Sequence, residues 1–572
     1  SCSTAQIFQA MTYLYGKKDT GNYISDMVNS KLVVLFGNNT AETRMSGGGT
    51  VRDLVLAKKN KNARVIVIDP LYTDTVTGFA DEWIPIRPGT DAALAAAIAH
   101  VLIINDMVDN DFLTRYTIGY DKSSMPEDIP EGNSYKEYIL GSGADGIPKT
   151  PEWASVITGI PAKRILELAY EIGGTKPVYI AQGWGPQRHA NGEQTARAIC
   201  MLPILTGNVG IKGGNSGDRE ASFGIDWPTI PVGENRVKTS IPCFLWTKAI
   251  ENHKEFTALN SGLREKKRLQ VPIKFLWCFA SNALINQHSD INHTHEILQN
   301  ESKCEMIVLI DNIMSSSAKY ADILLPGTSS FEERDLSYQG YAVEMGALFI
   351  REKAIEPMGE CLTLFDICAG IARQMGKEKQ FTHGMNHDQW VEYMYHQCRK
   401  IKPRLPKDFS KALEQGFYKW PRDGKPFTGL ASFRKNPEKY PLATPSGKIE
   451  IFSSLLWKMS QTWELPEGDS IQALPEYLPT WGTPGKKDAA LYPLQLVGHH
   501  YKQRTHSTYG NNEWLKEASP QSLWINPMDA ESRGIVHGDL VKVFNDIGTT
   551  LVRAKVTPRI MPGVLSLPQG AW

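Results

Sequence analysis

ARVIVIDPLYTDTVTGFADEWIPIRPGTDAAL, residues 63 to 94, opens with a five-residue run dominated by β-branched side chains, Arg64–Ile68, that ends at Asp69-Pro70. A short apolar run of this kind predicts a buried strand of a parallel sheet, with a carboxylate at its C-terminal edge. Ligands of doubly wound sheets sit beyond the carboxyl ends of the strands, where an acid commonly holds ribose hydroxyls. Thr73 and Thr75 follow, then a second short strand, Trp83–Ile86, and the turn Arg87-Pro88-Gly89-Thr90-Asp91. The turn opens an apolar helix over 92–104. Thr90 or Asp91 is its expected N-cap, and the free amides of such a helix start suit an anion such as phosphate.

The pattern recurs. Upstream, the strand Lys31–Phe36 runs into the loop Gly37-Asn38-Asn39. Far downstream, Ile273–Phe279 runs into Ala280-Ser281-Asn282, and Met306–Ile310 ends at Asp311 as Val65–Ile68 ends at Asp69. Tyr320-Ala321-Asp322 and Pro326-Gly327-Thr328 echo Phe79-Ala80-Asp81 and Pro88-Gly89-Thr90. The spacing from Asp69 to Asp81 is 12 residues, and from Asp311 to Asp322 it is 11. Any two strand–helix–strand units can share strand-ending acids, but echoes this nearly in register favour a duplicated supersecondary unit. Two such half-sites predict two nucleotide tails, or one dinucleotide across a pseudo-twofold.

The chain has 572 residues, too many for one core. With 62 basic and 62 acidic residues, nothing draws it to nucleic acid or to an anionic membrane. No apolar run is long enough for a transmembrane helix. The chain starts at Ser1 without Met and ends at Trp572 without a tail, which reads as a fragment of a longer protein. None of the eight cysteines forms a C-x-x-C pair, so neither a zinc ribbon nor an iron–sulfur cluster is expected within this stretch.

Ser3 and Gln6 fit a capping box at the start of an amphipathic helix. Met45–Gly49 is a glycine-rich loop opening a helix near 50–59. Residues 105–160, rich in Asp, Gly and Pro, read as a surface insertion, and 331–440 as a mixed helical region. The strand Val178–Ala181 ends in QGWGPQRHANGE (182–193), whose Trp184 and Arg188 suit a flat heterocycle and an anionic group. His293 and His295 have metal-like spacing, but lack an acid or Cys partner and read as solvated or core residues. From Pro493 onward, short strands with Gly and Pro turns read as a small β-barrel, and its loop with His499, Arg504, His506 and Ser507 reads as a lid over a large cofactor.

The stretches SCSTAQI, KLVVLFGNNTAETRMSGGG, VIVIDPLYTDT, DEWIPIRPGTDAAL, QGWGPQRHANGE, GNVGIKGGNSG, NALINQHSDIN, SSSAKYADILLP, TPSGKIEI and HYKQRTHSTYGN together resemble the dimethyl-sulfoxide-reductase family of molybdopterin oxidoreductases, in its anaerobic dimethyl sulfoxide and selenate-reductase-like branch. The resemblance implies a molybdenum bis(molybdopterin guanine dinucleotide) cofactor. It implies an α/β fold of two related Rossmann-like units about a pseudo-twofold, with the C-terminal barrel. The expected division is 1–30 (start of an active-site domain), 31–180 and 181–440 (the two nucleotide-binding units), 441–487 (connecting segment) and 488–572 (barrel).

By motif match, Asn38, Asn39, Thr43, Ile68, Asp69, Pro88, Gly89, Thr90, Asp91 and Asp311 face the nucleotides. Trp184, Gly185 and Arg188 line the cofactor near the reacting centre. Asn282, Asn286, His499, Arg504, His506 and Ser507 meet the pterins and phosphates. A side chain entering a helix ligates the metal in this family. Thiolate softness favours Cys2, whereas the motif and the helix start favour Ser3. The implied activity is two-electron reduction of an S-oxide or N-oxide in anaerobic respiration, with selenate or another oxyanion, or a non-catalytic cofactor-binding fragment, as alternatives. The family pattern adds an N-terminal 4Fe–4S cluster in the full-length protein, an iron–sulfur subunit and a membrane anchor as partners, and the periplasmic face of the membrane as location. A nicotinamide or flavin dehydrogenase would show G-x-G-x-x-G after the first strand, and none follows Lys31–Phe36.

Overall fold

Runs of aliphatic residues in the first third of the chain fold as a parallel sheet in the computed structural model, which describes residues 5–43, 50–61, 63–221, 224–338, 345–421, 427–480 and 487–571. In order come α1 (Ala5–Tyr15), β1 (Leu32–Phe36), α2 (Thr50–Lys61), β2 (Arg64–Ile68), α3 (Asp74–Phe79), β3 (Glu82–Ile84), α4 (Asp91–Ile104), α5 (Asn110–Tyr116), the two-residue β4 (Thr117–Ile118), α6 (Tyr135–Leu140), α7 (Pro151–Thr158), α8 (Ala162–Gly174), β5 (Val178–Gln182) and α9 (Gly192–Leu205). The sheet order is β3-β2-β1-β5, all parallel. β1 is buried along its whole length because helices cover both faces. Val34 and Phe36 enter a core with α1, α4, α8 and α9, while Val33 and Leu35 enter a second core with Leu54 and Ala57 of α2. Each such side chain contributes roughly 1.5–3 kcal/mol relative to exposure. Phe36 pairs with Ile68 on one side and Gln182 on the other. Gly37, Asp69 and Gly183 therefore leave the sheet at one level, its carboxyl edge.

Residues 105–160 are not a surface insertion. Phe112, Leu113, Tyr116, Tyr135, Tyr138, Ile139 and Ala154 are buried in the first core, and β4 pairs with residues 449–450. The polar composition belongs to the loops; the spaced aromatic residues of α5 and α6 do the packing.

The second unit comprises α10 (Trp246–Glu251), α11 (Ala258–Ser261), β6 (Phe275–Phe279), α12 (Ala283–Asn286), α13 (Ile291–Leu298), β7 (Met306–Asp311) and β8 (Ile323–Pro326), with parallel order β6-β7-β8. It repeats the first bond for bond. Gly37 N donates to Ile68 O at 2.8 Å, and Ala280 N to Ile310 O at 2.8 Å. Asp81 Oδ2 accepts from Val65 N at 2.8 Å, and Asp322 Oδ2 from Ile307 N at 2.7 Å. Asn39 Oδ1 accepts from Thr75 N at 3.1 Å, and Asn282 Oδ1 from Ser317 N at 2.9 Å. The units differ in cover. Leu276, Cys278, Ile307 and Leu309 pack under α12 and α13. On the opposite face Phe275, Trp277 and Phe279 stay 51, 41 and 49% exposed.

Where a mixed helical region was expected, β9 (Asp335–Tyr338), β10 (Met345–Arg351) and β11 (Phe417–Pro421) form an antiparallel sheet under the helices 387–401 and 409–415. The short β12 (Ile449–Glu450) is the partner of β4. The C-terminal strands β13 (Gln495–His499), β14 (Ser522–Ile525), β15 (Leu540–Phe544), β16 (Thr549–Val556) and β17 (Val564–Pro568) make one mixed sheet in the order β13-β17-β14-β16-β15. It docks beside the carboxyl edge of the first sheet: Met561 N donates to Pro70 O at 3.1 Å and Tyr72 N to Arg559 O at 2.9 Å. No described helix is long and apolar enough to cross a membrane.

Candidate functional site

Between the carboxyl edge of the first sheet and the C-terminal sheet lies a cavity of about 2450 Å³. Pockets for single small ligands are typically about 300–1,000 Å³, so this one has room for a far larger group. Of the residues singled out above, Asn38, Asn39, Thr43, Ile68, Asp69, Pro88, Gly89, Asp91, Trp184, Gly185, Arg188, His499, Arg504 and His506 line it. Four strand-end loops of the first sheet and a segment distant in sequence thus converge.

Asp69 and Asp91 are both buried, and desolvation pushes each carboxyl up to about 7. Leu71 N at 2.8 Å is the one hydrogen bond to the Asp69 carboxyl among the described residues. Under-bonded buried carboxyls call for donors from a ligand. The cavity lining also carries cations. Asp74 Oδ2 takes Lys502 at 2.5 Å and its Oδ1 takes Arg559 at 3.0 Å. Arg504 donates to Gln521 Oε1 at 2.6 Å and lies over the Tyr501 ring. Arg188 Nη1 donates to His500 Nε2 at 3.3 Å, and Gln569 reaches the His500 ring at 2.9 Å. His499 meets Ser566 Oγ at 2.7 Å. Burial, with Lys555 beside His499 and Arg188 beside His500, lowers both imidazoles to about 4, so they are neutral at pH 7.

Other expected residues lie elsewhere. Thr90 sits at the N-cap of α4, but its hydroxyl donates back to Arg87 O at 2.7 Å and makes no side-chain cap. Ser507 is half-buried outside the cavity lining. Asn282, exposed Asn286 and half-buried Asp311 belong to the second unit and do not line the cavity, which that unit meets through Ser289, Ile291 and Asn292. Asp311 accepts from Asn312 N at 2.8 Å, and Asn282 Nδ2 is buried without a partner among the described residues. Cys2, Ser3 and Met45–Gly49 lie outside the described residues. Gln6, the other half of the expected capping box, directs its Oε1 to Glu193 N at 3.0 Å. His293 pairs with Glu251 and His295 with Tyr320, and no group of metal-holding side chains occurs among the described residues.

Several lining residues carry no signal in the sequence. Arg219 and Glu220 stand in an irregular segment. Arg219 lies between the rings of Phe8 and Trp184 and pairs with Asp19 at 3.0 Å. Glu220 accepts from Asn38 Nδ2 at 2.8 Å, and burial raises its carboxyl. His500, Lys502, Arg559 and Gln569 become site residues only because the C-terminal sheet docks where it does.

A strand-edge cleft lined by buried acids, arginines, a lysine and neutral imidazoles suits a large nucleotide-bearing cofactor. The chain belongs to the molybdopterin oxidoreductase family: the sequence model of that family matches residues 2–374, and the model described as the molydopterin dinucleotide binding domain matches residues 494–572. It is 52% identical over 570 residues to dimethyl sulfoxide reductase DmsA of Escherichia coli (strain K12), covering all of this chain and 70% of that protein. It is 32% identical over 545 residues to the dimethyl sulfoxide/trimethylamine N-oxide reductase of Cereibacter sphaeroides, covering 90% of this chain and 62% of that one. Its fold is similar to that of acetylene hydratase from Pelobacter acetylenicus, with a TM-score of 0.70 at 20% identity over all of this chain and 74% of that one. The protein is thus a molybdopterin-dependent oxidoreductase, as the motifs led us to expect. Its residues fit the cofactor: the cavity lining supplies buried acids wanting donors and cations suited to phosphates.

Proposed function

We propose that the protein reduces an S-oxide or N-oxide of the dimethyl sulfoxide type in anaerobic respiration, with molybdenum bis(molybdopterin guanine dinucleotide) as cofactor. The observation that carries this reading is the single large cavity shared by Asp69, Asp91, Trp184, Arg188 and the His499–His506 loop. When bound, the cofactor supplies two-electron redox chemistry at the metal. The balance is oxide plus two electrons plus two protons, giving the reduced sulfide or amine and water. Asp69 and Asp91 bind the donor edge of a guanine or ribose. Lys502, Arg504 and Arg559 neutralise phosphates. Trp184 and Arg188 border the reacting end and orient the oxide. Ser3 is the proposed metal ligand, Asp311 acts at the second nucleotide, Thr90 acts with Pro88, Gly89 and Asp91 at one nucleotide, and Asn282, Asn286 and Ser507 act at the pterins and phosphates. On this reading the two parallel sheets are halves of a pseudo-twofold and the C-terminal sheet is the barrel-like cap, while the boundary expected at 180/181 shifts past α9, because β5 pairs with β1 and α9 packs in the first core. Electrons arrive through a 4Fe–4S cluster and an iron–sulfur subunit held by a membrane anchor on the periplasmic face.

Metal and nucleotide analysis, with an oxidant screen using reduced dye, tests this. Molybdenum, guanine nucleotide and turnover of sulfoxides or amine oxides are expected. Absence of molybdenum, or turnover confined to selenate, refutes the assignment. In the same assay Ser3→Ala abolishes oxide reduction and Cys2→Ala largely spares it; the reverse pattern moves the ligand to Cys2.

A further inference from the structure

Gln187 is fully buried within the loop that brings Trp184 and Arg188 to the cavity. Its Oε1 accepts from Ile7 N at 3.1 Å, and its Nε2 donates to Trp184 O at 3.4 Å. Ile7 is the third residue of α1, and the first amides of a helix have no acceptor inside it. The reciprocal bond lies beside it: Gln6 Oε1 accepts from Glu193 N, the second residue of α9. Each helix start is bonded by a glutamine from the other side: Gln187 from the loop leading into α9, and Gln6 from the first turn of α1. A local Ser, Thr, Asp or Asn usually satisfies such amides. A buried glutamine from 180 residues away instead ties two elements together. The loop is held tightly as well. A Cβ on Gly192 would lie 2.0 Å from Gln187 O, and one on Gly183 would lie 2.2 Å from Gly37 O.

We propose that Gln187 is a positioning residue for oxide reduction. By bonding the first turn of α1 to the Trp184–Arg188 loop, it registers the chain that carries the metal ligand against the groups bordering the substrate. This rests on Ser3 being that ligand. Ser3 precedes α1 by two residues in the sequence. Gln187 acts through the Ile7 amide and exchanges nothing with substrate. Its task is placement, to which oxygen-atom transfer is sensitive because a shift of about 1 Å can cost on the order of 100-fold in rate.

The test uses the full-length enzyme with cofactor bound. Gln187→Met keeps length and apolar fill but has no amide acceptor, whereas Gln187→Glu keeps an acceptor whose charge suits a helix start. For Gln187→Met we expect wild-type molybdenum content, faster hydrogen exchange at the Ile7 amide, an altered electron paramagnetic resonance spectrum of the metal, and kcat lowered roughly 10- to 100-fold at nearly unchanged KM. Gln187→Glu restores the spectrum and most of kcat. Gln6→Met gives a smaller change in the same direction, and it decides the matter if Gln187→Met does not fold. A wild-type spectrum and kcat despite lost Ile7 protection overturn the proposal. A silent Ser3→Ala overturns the ligand reading instead, an outcome distinct from any the Gln187 variants produce.

Discussion

Asp69 and Asp91 place two carboxyls in one buried end of the cavity, and their protonation sets a pH signature. An ordinary aspartate titrates near 3.8, whereas both of these titrate at about 7. A raised folded pKa stabilises fully below the unfolded value, and the contribution is lost as pH rises through the folded one. Neutral His499 and His500 oppose this trend: their folded values of about 4 make stability fall as pH drops from 6.5 toward 4. The cofactor-free protein should therefore show a shallow pH dependence that single variants unmask. The melting midpoint of Asp91→Asn, relative to wild type, should climb from pH 4 to pH 7. That of His500→Gln should climb as pH falls from 6.5. Parallel melting curves at every pH would contradict both. In the loaded enzyme Asp69→Ala should lower molybdenum and guanine nucleotide content, since an orphaned buried donor costs roughly 1–3 kcal/mol. Asp311, half-buried and away from the cavity, should matter less in the same assay.

The two strand–turn units use one design with different residues at the turn. Gly37 has φ +50° and Ala280 has φ +43°, both left-handed. A Cβ on Gly37 would lie 2.5 Å from Cδ of Pro186, which lies in the middle of the Trp184–Arg188 turn. Gly37→Ala should therefore lower the melting midpoint, combining that clash with a strained conformation that costs of order 1–3 kcal/mol. Ala280→Gly should be neutral or stabilising by up to about 1 kcal/mol, because glycine adopts this φ without strain. Thermal unfolding of the two variants side by side checks this, and a more stable Gly37→Ala would defeat the argument. Asp81 and Asp322 show the same economy: each bonds the amide of the second residue of a central strand, holding the sheet's amino edge.

At the scale of the molecule, the cavity exists because the C-terminal sheet is held against the first. The join includes the Pro70–Tyr72 backbone pairing, Leu71 packed against Val497, Ile560, Met561 and Val564, the Arg188–His500 contact and Asp74 between Lys502 and Arg559. Hydrogen bonding from Lys502, then from Arg559, holds the Asp74 carboxyl below its usual range. These groups are partly exposed, so salt screens them. Asp74→Ala should speed cofactor loss at low ionic strength and expose the C-terminal sheet to proteolysis, and its gap from wild type should close as salt rises. Equal loss rates at all salt concentrations would exclude this ion triad as a fastener. Its contribution should also fade as pH falls toward the carboxylate range, since a depressed acid stabilises only while ionised.

The amino-acid sequence by itself determined the central strands of the two parallel sheets, their acidic endings and their repeated pattern, but not β9–β11. Those signals are local: a β-branched run, a proline after an acid, the spacing of Asp81 and Asp322. It also led to the molybdopterin family through short motifs spread over the whole chain. Only the tertiary structure decided which half faces the cavity, with Asp69 inside and Asp311 aside. It also recruited Arg219, Glu220, His500, Lys502 and Arg559, and turned residues 105–160 from apparent insertion into core. The physical reason is distance along the chain. Arg188 and His500 stand 312 residues apart and Ile7 and Gln187 stand 180 apart. Such pairs form when whole layers pack, and no propensity or periodicity near either residue encodes the meeting.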